Sequence, residues 1–286
     1  MKSTKSTSRS KAQLLSDNNS LMRFQRIFTN QWKKLNYWKN KAVKHSSDDD
    51  IHYLRIALRR FRLSLKLYEY FTGKKAKRKL KASLRKLTKN LGSLRNIDEA
   101  FHYFQAHDYF SFRHAVYKDL SNMRSLQVKL MKTMLQEFDH HFDNLVKEMA
   151  TSLKSLQFAE KDYLLLSAHV SSISSEFSKN IHAHLDIATN SKKRKSRHAL
   201  RIAIRKWRYS LELFASVLNR DYDSLLKAMK KYQTLLGQIN DISSFIKLCR
   251  CTSLTKYEIK CIDKELQADE KVLLKKLSKL VNKTHL

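Results

Sequence analysis

His52-Tyr-Leu-Arg-Ile-Ala-Leu-Arg-Arg-Phe-Arg62 returns without a gap as His198-Ala-Leu-Arg-Ile-Ala-Ile-Arg-Lys-Trp-Arg208, 146 positions further on. Placed on a helical wheel at ~100° per residue, each copy separates into two stripes. Leu54, Leu58, Phe61, Leu65 and Tyr68 form an apolar stripe in the first copy, and Leu200, Ile204, Trp207, Leu211 and Phe214 form its equivalent in the second. His52, Arg55, Arg59, Arg62 and Lys66 make a cationic stripe about 120° away. In the second copy that stripe is His198, Arg201, Arg205 and Arg208, and Glu212 ends it. An apolar stripe alone describes any bundle helix. The cationic one asks for more, because like charges at i,i+4 spacing destabilise an isolated helix and a solvated face normally mixes signs. A solubility face would also favour lysine. Arginine, with its planar fork of donors, suits the oxygens of phosphate.

A second matched element lies about forty residues downstream of each copy. Leu91-Gly-Ser-Leu-Arg-Asn-Ile-Asp98 pairs with Leu236-Gly-Gln-Ile-Asn-Asp-Ile-Ser243 at an offset of 145, and two of the three glycines of the chain fall inside it. Between the two elements of the first copy, Arg78, Lys81, Arg85 and Lys89 alternate with Leu80, Leu84, Leu87 and Leu91; Lys227, Lys230 and Lys231 occupy the matching segment of the second. Packed by their apolar stripes, two such helices per copy would point cations into a shared groove. His52 and His198 head the Arg stripes, where a core or capping role and hydrogen bonding to phosphate are both open. Asp98 and Asp241 either orient these arginines by ion pairing or cap helices. Arg95 extends the basic surface, with uncharged Asn240 as its counterpart.

The rest of the chain agrees with a helical reading. Of 286 residues none is Pro and three are Gly, where average usage would supply roughly 14 and 20. Strand-and-turn architectures lean on those residues, so sandwiches, barrels and Rossmann sheets are excluded. With 42% apolar residues the chain can bury a core rather than remain disordered. Helical periodicity predicts eight helices, near 18–45, 50–72, 76–105, 110–155, 161–190, 195–219, 221–250 and 255–283. Ser47 before Asp48, Asp49 and Asp50 reads as an N-cap with acids in the first turn. The expected architecture is all-α: two four-helix bundles related by internal duplication, residues 18–155 and 156–286, behind a disordered basic tail at 1–17.

Charge narrows the partner. Lys and Arg number 58 against 26 Asp and Glu, a net +32, and such an excess repels itself until an anion neutralises it. Nucleic acid, another polyanion or an acidic membrane face would serve. No stretch reaches the ~20 apolar residues of a transmembrane helix, and helices that bury their apolar faces against each other leave little for a membrane. The N-terminus has no apolar core of a signal peptide. Cys249, Cys251 and Cys261 are too few and too clustered for a disulfide framework, so reduced thiols in a cytoplasmic protein are expected.

The doubled motif His-x-x-Arg-x-x-x-Arg-(Arg/Lys)-x-Arg, followed by Leu-Gly-x-x-(Arg/Asn)-(Asn/Asp), resembles the CHAD domain, the conserved histidine α-helical domain. The likeness runs over roughly residues 18 to 283. It implies two four-helix bundles about a pseudo-twofold axis, with a basic surface and central pore that bind inorganic polyphosphate. Carried over residue by residue, the ligand-facing set is His52, Arg55, Arg59, Arg62, His198, Arg201, Arg205 and Arg208, joined by Arg85 and Lys230. Lys66, Lys81, Lys89 and Lys227 complete the cationic set read from the stripes. Asn96 departs from the motif, which usually has Asp there, and this puts local Arg–Asp pairing in doubt. The family often accompanies a CYTH triphosphatase domain; the Glu-x-Glu-x-Lys motif of one is absent, so a stand-alone module is expected.

Catalysis finds less support. There is no Gly-x-x-x-x-Gly-Lys loop, and no carboxylate pair stands among the cations to hold the metal that phosphoryl transfer wants. Glu99-x-x-His102 and Glu137-x-x-His140 fit the Glu-x-x-His pattern of di-iron bundles, but the two further Glu are missing and the surrounding charge repels metal cations. No cofactor or metal is expected. Nucleic acid is the stronger rival, since it too binds through counterion release. Single-strand binders expose aromatics among their cations; here Phe61, Tyr68, Trp207 and Phe214 lie on the apolar stripes. A base-free polyanion is favoured, with storage, granule targeting and scavenging all compatible with the same surface.

Overall fold

A computed structural model describes residues 4–106, 113–157, 160–190 and 192–283. All of its regular structure is helical. In chain order the helices are α1 (Thr4–Lys44), α2 (Asp48–Thr72), α3 (Arg78–Ala106), α4 (Arg113–Gln136), α5 (Asp139–Lys154), α6 (Glu160–Ala188), α7 (Arg194–Leu218), α8 (Asp223–Cys249) and α9 (Lys256–Lys283). α1 takes in most of the segment read as a basic tail, where no Gly or Pro interrupts the helix; its side chains are described from Ser20 onward.

The expected 110–155 helix is two helices. The chain breaks at Phe138, which turns its ring into the core at 2% exposure. There it lies 5.9 Å from Trp32 and 4.8 Å from Phe142 between ring centroids. Burying one phenyl outweighs the few hydrogen bonds lost at a helix break. Residues 107–112, where the α3–α4 connection falls, lie outside those described.

Local signals set the other ends. Ser47 Oγ accepts from the Asp50 amide at 3.1 Å, and Asp48, Asp49 and Asp50 occupy the positive end of the α2 dipole. Gly73 closes α2 at φ 65° and Asn219 closes α7 at φ 52°, the left-handed caps that these residue types tolerate. α7 begins differently. Lys193 provides no side-chain cap, and Arg194, Lys195 and Arg197 stand where a helix dipole disfavours cations. Glu270 of α9 offsets this: it bonds Arg194 at 2.9 Å and Arg197 at 3.0 Å.

Packing repeats in order along the chain. α1 packs on α2, α2 on α3 and α3 on α4; α6 packs on α7, α7 on α8 and α8 on α9. The apolar stripes of α2 and α7 are buried throughout. The two sets also share their interiors. The largest core, built on α1–α5, takes in Leu166 and Val170 of α6 and Leu213, Phe214 and Val217 of α7. Another core joins Ile97, Phe104 and Leu120 to Ile242, Phe245 and Leu266. With apolar seams at both ends, α2, α3, α7 and α8 are held around a central gap.

Candidate functional site

That gap is a cavity of about 830 Å³, within the ~300–1,000 Å³ range of ligand pockets. Ten of its lining residues are Lys or Arg and one, Asp263, is acidic. The wheel reading accounts for the centre: Arg55 and Arg59 project from α2, Arg201 and Arg205 from α7. Each pair is one helical turn apart, and each helix presents its pair because its apolar stripe faces a core.

These guanidiniums repel one another. Burial, then Arg59 and Arg95, push Arg55 down to about 9. Burial, then Arg59 and Arg201, push Arg205 down to about 10. Arg201 is lowered by burial as well, with Asp241 opposing the shift. Arg55 and Arg205 remain charged at neutral pH, and the Nε of Arg55 is buried without a hydrogen-bond partner. A multidentate anion placed here would supply acceptors and remove the repulsion together.

Of the residues expected from sequence, Arg55, Arg59, Lys89, His198, Arg201 and Arg205 line this cavity. His198 Nδ1 lies 3.1 Å from the Asn240 Oδ1, so the uncharged counterpart of Arg95 orients the histidine. The others are elsewhere. His52 lines a smaller hollow beside Asp48, Asp49 and Glu99, and burial, followed by Arg55, lowers its pKa. Arg62 donates to Thr88 Oγ1 at 3.0 Å and is lowered by burial and by Arg85. Arg208 donates to Gln233 at 2.8 Å and is ion-paired with Glu212; Lys81 is paired with Glu69. Lys66, Arg85, Lys227 and Lys230 are exposed and outside the cavity wall.

Five further cations line the cavity: Arg194, Lys195, Arg197, Lys247 and Arg250. The basic run leading into α7 carried a signal for the first three, since an N-terminal turn without acids is costly unless used. Lys247 and Arg250 sit at the far end of α8, where only the packing brings them close.

The acidic residues hold the scaffold. Asp241 receives both Arg95 Nη atoms, with Nη2 at 2.7 Å, in a pair that ties α3 to α8. Asp98 accepts from Arg124 at 2.7 Å, and the same guanidinium reaches Asp48 at 2.8 Å. Both aspartates therefore orient arginines and neither caps a helix. Arg95, largely covered and held also by Glu99 at 3.1 Å, is a brace rather than free basic surface. The Glu99–His102 pair is likewise engaged, His102 with Asp48 at 3.2 Å; the side chain of His140 lies outside those described. No group of three or more His, Cys, Asp or Glu among the described residues is placed to hold a metal. None of the described helices is long and apolar enough to cross a membrane.

The fold and cavity define an all-helical protein with a cation-lined central cleft. The CHAD domain profile matches residues 26–250, and the chain belongs to the CHAD domain family. It is similar to the crystal structure of the CHAD domain from the plant Ricinus communis. The TM-score is 0.70 at 17% identity, covering 93% of this chain and 92% of that one. PptA from Streptomyces chartreusis superposes with a TM-score of 0.59 at 11% identity, over 92% of this chain and 98% of that one. No curated protein matches the sequence.

Proposed function

We propose that this protein is a binding module for inorganic polyphosphate, held non-covalently in the central cavity and not turned over. The observation that carries this reading is a cluster of four arginines, Arg55, Arg59, Arg201 and Arg205, in a cavity with a single acid. A row of phosphates would offer each guanidinium a bidentate acceptor. His198, Lys89 and the α7 N-terminal cations would extend the contact. A role in the cytoplasm, on storage granules or free, fits three free cysteines.

Nucleic acid is the second reading, on one specific observation. Tyr37 and Tyr53 are exposed beside Trp38, with Trp38 and Tyr53 stacked at 4.5 Å, and Lys34 and Arg60 border the same groove. Against this, the aromatics of the α2 and α7 apolar stripes are buried, and among the described residues the wall of the central cavity carries no Phe, Tyr or Trp. Titration of labelled long-chain polyphosphate against RNA and single-stranded DNA at two salt concentrations tests the choice. Polyphosphate is expected to displace both, and pyrophosphate to bind poorly. RNA binding as tightly at moderate salt would overturn the reading. Arg59→Ala with Arg205→Ala is expected to weaken binding strongly and flatten its salt dependence.

A further inference from the structure

The match between α2 and α7 continues upstream of the two histidines. In the same register Asp48, Asp49 and Ile51 stand where the second copy has Arg194, Lys195 and Arg197. The match between α3 and α8 continues downstream, with Asp98, Glu99 and His102 opposite Ser243, Ser244 and Lys247. Every one of the second-copy residues lines the central cavity. Every one of their first-copy counterparts lines the smaller hollow, of about 210 Å³, that also holds His52. Asp48 and Asp49 thus stand opposite Arg194 and Lys195 in charge, and Asp98 and Glu99 stand where the second copy has uncharged Ser243 and Ser244.

The hollow adjoins the arginine cluster. His52 precedes Arg55 by three residues, about 4.5 Å along the helix, and feels both Arg55 and the carboxylates of Glu99 and Asp49. A polyanion seated on Arg55 and Arg59 thus meets carboxylates in one direction. In the other direction it meets Arg194, Lys195, Lys247 and Arg250. Asp48 and Asp98 are needed by Arg124, but Asp49 has no such partner and lies exposed at the first turn of α2.

We propose that the polyphosphate track is one-ended: it starts at the Arg55–Arg59–Arg201–Arg205 cluster, runs out along the α7 N-terminus and the end of α8, and is closed on the α2–α3 side by Asp49 and Glu99. The proposal rests on the polyphosphate reading. It makes those two carboxylates determinants of how a chain is seated, and so of which lengths gain affinity.

The test uses the full chain and polyphosphates graded from tripolyphosphate to long chains. Asp49→Lys and Glu99→Gln are compared with Glu148→Lys, an exposed site on α5 that repeats the charge change of Asp49→Lys far from the cavity wall. Wild-type affinity is expected to rise with length and then level off. Asp49→Lys should tighten long chains on the order of tenfold, as expected for a charge reversal within a few ångströms of phosphate. It should leave tripolyphosphate nearly unchanged and move the levelling-off to longer chains. Glu99→Gln should act in the same sense, and Lys195→Ala with Arg250→Ala should weaken long chains selectively. The one-ended track is overturned if Asp49→Lys does no more than Glu148→Lys, or if it tightens tripolyphosphate equally. Failure of the wild-type protein to bind any length would overturn the polyphosphate reading itself, and the track with it.

Discussion

Replacing Arg55 by Met is expected to make the ligand-free protein more stable while weakening its grip on polyphosphate. Burial among Arg59, Arg95 and Arg205 pushes Arg55 from the usual arginine range down to about 9. At ~1.4 kcal/mol per tenfold change in proton affinity, that corresponds to ~5 kcal/mol set against its charge in the folded state. Arginines keep their proton in proteins, and water enters an open cavity, so the gain on substitution is a fraction of this, ~1–2 kcal/mol. Met retains the apolar stem that packs along the wall and adds no charge. For a chain of this size each 1 kcal/mol moves the melting temperature by roughly 2–4 °C, which gives a rise of about 2–6 °C. Thermal melts followed by circular dichroism at low ionic strength measure it. The gap between variant and wild type should narrow with added salt, as screening reduces the repulsion. With saturating polyphosphate the order should invert, because binding stabilises the protein that binds more tightly. A ligand-free Arg55→Met protein that melts at or below the wild-type temperature would refute the reasoning, showing Arg55 to be held by partners instead of opposed by neighbours.

Gly92, in the cavity wall, and Gly237, outside it, have nothing within 4 Å of an added Cβ. Gly92→Ala and Gly237→Ala should each stabilise by ~0.5–1 kcal/mol, with calorimetric titration showing weaker polyphosphate binding for Gly92→Ala alone. Asp241→Asn should cost about 1.5–3 kcal/mol in chemical denaturation, since it leaves the covered Arg95 guanidinium with the more exposed Glu99 as its remaining counter-charge. Phe138→Ala should cost a similar ~3–5 kcal/mol by removing the ring that breaks α4 from α5.

Helix content, the two stripes of α2 and α7 and the matching of the two copies were legible in the sequence, because they depend on periodicity within single helices. The absence of Pro, the scarcity of Gly and the Ser47 cap act over one or two turns, and neighbouring residues suffice to read them. The family resemblance rests on the same local pattern. Which cations meet is a different matter. The stripe from His52 to Lys66 is about 21 Å long, longer than the stretch of α2 that faces the cavity, and a wheel cannot say which turns lie over the gap. The crossing of α2, α3, α7 and α8, held by cores shared between the two helical sets, selects Arg55 and Arg59 and leaves Lys66 in solvent. Ion pairs decide the rest: Glu212 takes Arg208 one turn along α7, and across helices Glu69 takes Lys81 and Glu270 stabilises the uncapped α7 N-terminus. The end of α8, with Lys247 and Arg250, carried no sequence signal at all. Charge at a site depends on what lies across the gap, and residues far apart in the chain are brought there only by packing.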